Sequence, residues 1–429
     1  MPREEKGAHV MSEMLSLEQA RKRVLENTQT LPTCTADLLD ACGRVAAADL
    51  AADIDNAPFA HVAMDGYALR ADQIAGASEQ APVELDVMAE IAAGDDFTDS
   101  FGEGQCVRIM TGAKLPECAD ACVKYEVVGI VSGEGKADGR VSFTAPAKPG
   151  QNVRAAGEEA RAGEVIVHAG EVVNSAGVGF LAGCGVTEVP VFARPRVAIM
   201  ATGSELVPHD QVPAGAKIRN SNAPAIAACV REAGGVADVL PIVRDTYEEL
   251  RCAVKAAVAD HDMVVTTGGA ANGDYDFIKQ VVSDLGRTHV TLVNMRPGKA
   301  ETFGTVDGVP VFGLPGNPAA AYIGFQMLVR PALRKMQGYS HFERMRVKAR
   351  LGCDMRAKKD PRMTLVRAVM TRADDGSFTV APLDKQSSGL FGPLQKSNAL
   401  IVCEHGDEGH AAGAQIECLL LDIDEECVL

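Results

Sequence analysis

Apolar positions recur along the chain with two different periods, and the change of period divides it. Residues 16–28 carry Leu17, Ala20 and Val24 on one helical face, with Ser16 and Gln19 spaced for a capping box. Residues 35–42 read as a second helix that stops at Gly43. From 56 to 145 the period becomes two. Residues 82–88 alternate, 106–110 form a short strand, and 125–131 turn through the Gly-rich 133–139 into a strand at 140–143. Residues 146–192 hold Gly-punctuated strands and one small helix near 175–183.

Residues 194–337 alternate between buried strands and helices. A strand near 197–201 ends at Thr202, and a helix follows Asn222 with Pro224 in its first turn and Gly234 beyond its last. A strand at 239–243 leads to a helix started by Asp245 and Thr246. A strand at 263–266 ends in Gly268 and Gly269, and Asp274 begins a helix that stops at Gly286. Strands near 290–295, 301–305 and 309–313 precede a long helix over 318–337. Such alternation with short loops predicts a doubly wound, mostly parallel α/β sheet. Residues 338–429 return to short strands with Gly/Asp turns, as in a small β-barrel or sandwich. The fold class is therefore multidomain α/β plus β, with β-rich and mixed segments ahead of the α/β domain and a small barrel after it.

Composition narrows the function. The 429 residues hold 42 Lys plus Arg against 58 Asp plus Glu, a net charge of −16. That excludes a broad nucleic-acid surface but not a local basic pocket for a small anion. Trp is absent and aromatics are 4%, so stacking platforms for single strands are not expected. The 12 Cys form no Cys-x-x-Cys pair and mostly sit among Ala, Val and Leu, which reads as small core residues in a reducing cytosol. His405 and His410 flank a Gly/acidic turn and read as solvent-facing. No secretory signal is visible at the N-terminus, and no apolar run approaches a membrane span, so the expected location is cytoplasmic with no membrane partner.

Candidate chemistry gathers at the strand ends of residues 194–337, where ligands of doubly wound sheets bind. Thr202-Gly-Ser-Glu205, Thr266-Thr-Gly-Gly269 and Gly313-Leu-Pro-Gly-Asn317 each put Gly beside hydroxyl or amide groups ahead of a helix. Gly lets backbone approach an anion, and helix N-termini add N–H donors. Glu205, Asp245, Asp274 and Asp276 fall in the same places. Helix capping explains Asp245 and Asp274 well, whereas Glu205 and Asp276 suggest a divalent cation such as Mg²⁺ on a phosphate. Arg296-Pro-Gly-Lys299 is a candidate oxyanion site or a solvated turn. Met64-Asp-Gly-Tyr-Ala68 and the 107–113 stretch read by residue chemistry as turns.

Taken in order, Met64-Asp-Gly-Tyr-Ala68, the stretch 107–117, Gly150-Gln-Asn-Val-Arg154, Ala201-Thr-Gly-Ser-Glu-Leu206, Arg219-Asn-Ser-Asn222, Thr266-Thr-Gly-Gly269, Arg296-Pro-Gly-Lys299 and Gly313-Leu-Pro-Gly-Asn-Pro318 resemble the molybdopterin molybdenumtransferase family, related to the C-terminal region of gephyrin. The resemblance covers about residues 15–425. It implies a discontinuous linker and dimer domain (1–55 and 146–192), a β-rich domain (56–145), a molybdopterin-binding α/β domain (193–337) and a C-terminal barrel (338–429). It implies insertion of molybdenum from molybdate into adenylylated molybdopterin, release of AMP, Mg²⁺, and a homodimer. The upstream adenylyltransferase and acceptor molybdoenzymes are further implied partners.

Carried over residue by residue, the family's catalytic positions fall on Asp65, Thr111, Glu205, Asp245 and Asp276, with Glu205 and Asp276 as metal ligands. Its substrate-binding positions fall on Thr202, Gly203, Ser204, Gly268, Gly269, Arg296, Lys299, Gly316, Asn317, Arg367 and Ser388, and Arg362 and Ser387 match the terminal-domain patterns. The chain departs from the family at Ala271 and Ala320, where Ser is usual, and at Ser204, Val62 and Ala300, where Asp, Ser and Pro are usual. The competing readings are a molybdopterin adenylyltransferase, which needs little beyond the 194–337 domain, and a non-catalytic paralogue or scaffold.

Overall fold

The computed structural model describes residues 14–268, 277–356, 360–373 and 375–421. The chain divides into two compact units, Thr35–Val191 and the combination of Met1–Cys34 with Phe192–Leu429.

In the unit Thr35–Val191, six strands form one sheet in the order Ala121–Lys124, Gly66–Leu69, Gln105–Ile109, Val83–Ile91, Arg140–Phe143, Gly129–Ser132. The two-residue period divides the side chains between two cores. Tyr67, Leu85 and Phe143 fill one, and Ala68, Val107 and Ile109 fill the other. Gly66 has no room for a side chain, since a Cβ there would lie 2.1 Å from the Val123 carbonyl oxygen. A separate cluster around Leu50, Leu181 and Val189 packs the helix Ser175–Gly183, which Asn174 caps by accepting from the Gly177 N–H at 2.7 Å. The expected helix at 35–42 is not formed. Thr33–Asp37 is a strand followed by turns, and Leu38 N–H donates to the Thr187 carbonyl. Eight residues make a marginal helix, and β-branched Thr33 and Thr35 fit a pleated strand better.

The other unit contains the α/β sheet. Its order is Val236–Val239, Arg196–Ala201, Met263–Thr267, Val309–Leu314, Thr302–Val306, Arg287–Val290. The first four are parallel and the last two join antiparallel at one edge, so the sheet is mostly parallel as expected. Alternation in Arg196–Ala201 again divides the core. Val197, Ile199 and Ala201 face the side that also buries residues of helices Leu17–Glu26 and Asn222–Glu232, while Ala198 and Met200 face the side of Tyr247–Asp260 and Phe277–Leu285. Each such buried aliphatic side chain stabilises the fold by about 1.5–3 kcal/mol, so Val265→Asp would break the layer. The capping box of Ser16 with Gln19 is formed. The long helix runs from Pro318 to Met336 but is interrupted by a π-helical turn, Phe325–Val329.

Beyond Gly338 the chain forms a closed barrel. Met363–Arg372, Phe378–Pro382, Arg346–Leu351, Gln415–Leu420 and Ala399–Cys403 pair in that order, and the last pairs back to the first. A sixth segment, Met295–Arg296, adds to Met363–Arg372 in parallel, with Arg296 opposite Thr364. This short pairing ties a loop of the α/β sheet to the barrel. Among the described residues, no helix is long and apolar enough to cross a membrane.

Candidate active site

The strand ends of the α/β sheet bring three loops together. Thr202 N–H donates to the Thr267 carbonyl at 2.9 Å, and Gly203 N–H to that of Val243 at 3.4 Å. Gly268 has φ +94°, and a Cβ there would lie 2.2 Å from the Thr202 carbonyl oxygen, so only glycine permits this approach. Asn222 reaches across from the next helix, its Nδ2 donating to Thr267 Oγ1 at 2.8 Å and to the Gly316 carbonyl at 2.9 Å. Asn220, buried, caps the same helix by accepting from Ala223 N–H. Thr202 Oγ1, Asn222 Oδ1 and Asp245 Oδ1 are buried with no hydrogen-bond partner among the described residues. Burial raises the pKa of Asp245, and the charge of Glu205 adds to the rise. Oxygen donors short of positive charge suit a hard divalent cation, so Glu205 among these loops fits the role of a Mg²⁺ ligand. Ser204 is exposed, and its carbonyl accepts from Lys217 Nζ. Gly269, Ala271, Asp274 and Asp276 lie outside the described residues.

Pro315 and Asn317, which flank Gly316, line a cavity of about 750 Å³ walled also by Arg296, Lys299, Arg356, Ser388 and barrel residues. Asn317 is the N-cap of Pro318–Gly324 but makes no side-chain cap bond, and it lines the cavity instead. The Ser388 carbonyl accepts from Ala319 N–H at 2.8 Å, holding the barrel loop against this helix. The basic pair splits into two roles. Arg296 Nη1 donates to Asp360 Oδ2 at 3.0 Å, and Arg362 holds the same carboxylate through Nε at 2.8 Å and Nη2 at 2.9 Å. These bonds, led by Arg362, hold Asp360 well below the usual carboxylate range. The Lys299 ammonium has no partner among the described residues.

Arg367 lies apart from the other candidate substrate-binding residues. It does not line the cavity. It is 1% exposed, and its guanidinium donates to Gln386 Oε1 and to the carbonyls of Ser387 and Leu390. Its bonds hold the loop that carries Ser388. His410 is half-buried, not solvent-facing, and bonds Asp407 at 2.6 Å. The cysteines divide, with Cys106, Cys122, Cys184, Cys229, Cys403 and Cys418 buried and Cys34, Cys42, Cys252 and Cys353 exposed.

In the unit Thr35–Val191, Asp65 immediately precedes the strand Gly66–Leu69. Pairing of Gly66 with Ile109 brings Thr111 to the same end. Thr111 donates to Asp65 Oδ1 twice, from N–H and Oγ1, each at 2.7 Å. Both residues are exposed, and the Thr111 bonds lower the Asp65 pKa, so it stands ionised on the surface.

Three family models match in succession: the MoeA N-terminal region (domains I and II) over residues 15–185, the probable molybdopterin binding domain over 198–335, and the MoeA C-terminal region (domain IV) over 348–421. A molybdopterin molybdenumtransferase of Staphylococcus epidermidis is 33% identical over 419 residues, covering 97% of this chain and 98% of its own. The chain belongs to the MoeA family of molybdopterin molybdenumtransferases. A Staphylococcus aureus relative of the same name is 32% identical over 411 residues, with 96% of each chain covered. A crystal structure of a MoeA protein of molybdopterin biosynthesis from Pyrococcus horikosii matches at a TM-score of 0.80 and 29% identity, covering 96% of this chain and all of that one. As a MoeA-family enzyme, the chain belongs to molybdenum cofactor biosynthesis.

Within this MoeA-family site, sequence reasoning missed two carboxylates. Asp360 is the hub of the arginine clamp, and its only local signal is its place two residues before Arg362. Glu301 is 1% exposed, and neither oxygen has a partner among the described residues. It sits under the basic loop, where a Cβ at Gly298 would meet its Oε1 at 2.8 Å and one at Gly324 at 2.3 Å. Burial raises its pKa well above the usual value, so it is held toward the neutral acid.

Proposed function

We propose that this chain transfers molybdenum from molybdate to adenylylated molybdopterin, with release of AMP and with Mg²⁺. The observation that carries the reading is the Lys299 ammonium, without a partner among the described residues, on a cavity where Asp360 already fixes Arg296 and Arg362. A tetrahedral dianion takes short, charge-assisted bonds from such a donor. In this reading Lys299 and the exposed edge of Arg296 bind molybdate, with Ser388 offering a hydroxyl from the barrel loop. Thr202, Gly203 and Gly268, whose N–H groups are tied to neighbouring carbonyls, shape the loops from which Ser204, Gly269 and Gly316 offer backbone N–H groups to the phosphate part of the pterin substrate. Asn317 borders both regions.

Glu205 and Asp276 would hold Mg²⁺, which, when bound, neutralises charge on the phosphate oxygens. Asp245, with its raised pKa, is able to hold a proton beside Glu205. Asp65 and Thr111 act as one unit, the threonine keeping the carboxylate ionised and oriented.

The test is to incubate purified protein with adenylylated molybdopterin, molybdate and Mg²⁺ and to measure AMP and pterin-bound molybdenum. AMP release that needs both molybdate and Mg²⁺ is expected. Synthesis of the adenylylated species from ATP, or no turnover at all, would overturn the reading. The homodimer is part of the same proposal. Its checks are mass in solution and recovery of activity on mixing Asp65→Asn with Lys299→Ala chains.

A further inference from the structure

A second cavity, of about 790 Å³, lies in the same unit and shares no lining residue with the first. Arg330 and Arg344 line it, and neither forms an ion pair among the described residues. Arg330 Nη1 donates to the Phe342 carbonyl at 3.1 Å. Arg344 donates through Nε and Nη2 to Gln326 Oε1 at 3.1 and 2.9 Å. Gln326 is 2% exposed and belongs to the π-helical turn Phe325–Val329. A turn of this kind re-aims side chains and often marks a functional site. Here it presents a buried amide that fixes one guanidinium.

Arg334, nearby, is spent on the His341 carbonyl and on the face of Tyr339. Burial pushes Arg330 down to about 10, and the charges of Arg344 and Arg334 push the same way. It remains charged at neutral pH. On a chain of net charge −16, acids to neutralise this group are plentiful, yet none does so among the described residues. Glu232, on the cavity rim, is exposed and pairs with neither arginine.

The rest of the wall is mixed, with Tyr322, Phe391 and Leu394 beside the polar Gln395 and Ser397. A guanidinium presents five N–H donors in a planar fork, and these bonds leave most of them on Arg330 and Arg344 uncommitted. Two such groups from different elements suit a dianion. The volume is many times the ~30 Å³ share of a water molecule, so it exceeds what a lone oxyanion needs. We infer that this cavity binds a phosphate monoester, its phosphate on Arg330 and Arg344 and its organic part along Tyr322 and Phe391.

The experiment is calorimetric titration of phenyl phosphate, and separately of inorganic phosphate, into the full chain. A Lys299→Ala background removes competition from the first cavity. Phenyl phosphate should bind this background, and Arg344→Gln or Arg330→Gln should weaken it by roughly ten- to a hundred-fold, as for loss of a charged hydrogen-bond donor. If Arg330→Gln fails to fold, Arg344→Gln, whose side chain is only half-buried, carries the test, with Arg344→Lys as the partial rescue. Binding lost in Lys299→Ala and untouched by the arginine variants would put the phosphate in the first cavity and overturn the inference. Absence of binding at millimolar concentration would do the same. Equal affinity for inorganic phosphate would remove the organic part of the assignment.

Discussion

The basic cavity and the carboxylate loops both adjoin the turn at Gly316, yet their charges are handled in opposite ways. In the cavity, Asp360 takes up Arg296 and Arg362, so two cations are fixed before any ligand arrives, while Lys299 and Arg356 have no side-chain partner among the described residues. In the loops, Asp245 and Glu205 repel each other, and buried oxygens on Thr202, Asn222 and Asp245 have no donor among the described residues. Burying a polar atom without a partner costs about 1–3 kcal/mol, so the loops are strained towards binding a cation or donor. The clamp is complete in itself; the loops are complete only with a ligand.

The sharpest way to break this contrast is on the loop side. Glu205→Gln removes a proposed cation ligand without loss of volume, and AMP release should fall by roughly 10²–10³, the scale of a lost electrostatic group in catalysis. Asp276→Asn should behave alike. Wild-type turnover by Glu205→Gln would end the cation assignment. On the cavity side, Lys299→Ala should weaken the apparent affinity for molybdate roughly ten- to a hundred-fold while sparing the pterin substrate. Equal loss for both substrates would mean that Lys299 holds the pterin phosphate.

Smaller effects test the frame itself. Asp360→Asn frees two guanidiniums and should destabilise the unit by roughly 1.5–3 kcal/mol, measured by denaturant unfolding at neutral pH. The Asp360 pKa is lowered in the fold, so its contribution is present above the unfolded value of about 3.9 and is lost as pH falls through the folded one. The stability difference between wild type and variant should therefore shrink on acidification; a constant difference would remove the charge from the explanation.

Glu301 runs the other way. Its folded pKa is raised, so the native state binds its proton more tightly than the unfolded chain does. Stability is then greatest below about 4.3 and declines as pH rises towards the folded value, by roughly 1.4 kcal/mol per unit. Glu301→Leu should flatten that decline and raise the melting temperature at pH 8 more than at pH 5. An identical pH profile would show that Glu301 has found a partner.

Much of this was open to the chain's own pattern. The alternation Val197 to Ala201, the Ser16–Gln19 box and the Gly-bearing strand ends depend on residues one to five positions apart, where sterics and period decide the outcome. Asp65 and Thr111 were recognisable as family positions. Their mutual bonds follow from a strand pairing 43 residues apart in the chain, as Gly66 lies opposite Ile109. The strand Thr33–Asp37 was misread because eight residues carry too little periodicity to outweigh their eventual sheet partner.

The tertiary structure alone decided how the charges pair. Arg296 meets Asp360 because Met295–Arg296 joins the barrel beside Met363–Arg372. Arg367 turns inward because its strand closes the barrel with Ala399–Cys403 and leaves its guanidinium under the Ser388 loop. Glu301 is sealed beneath Gly298 and Gly324, two glycines whose missing side chains make the space. Sequence sets which residues stand at the ends of strands, because that is local. Which charge faces which is set by contacts between distant segments, and only the folded chain brings those within hydrogen-bond range.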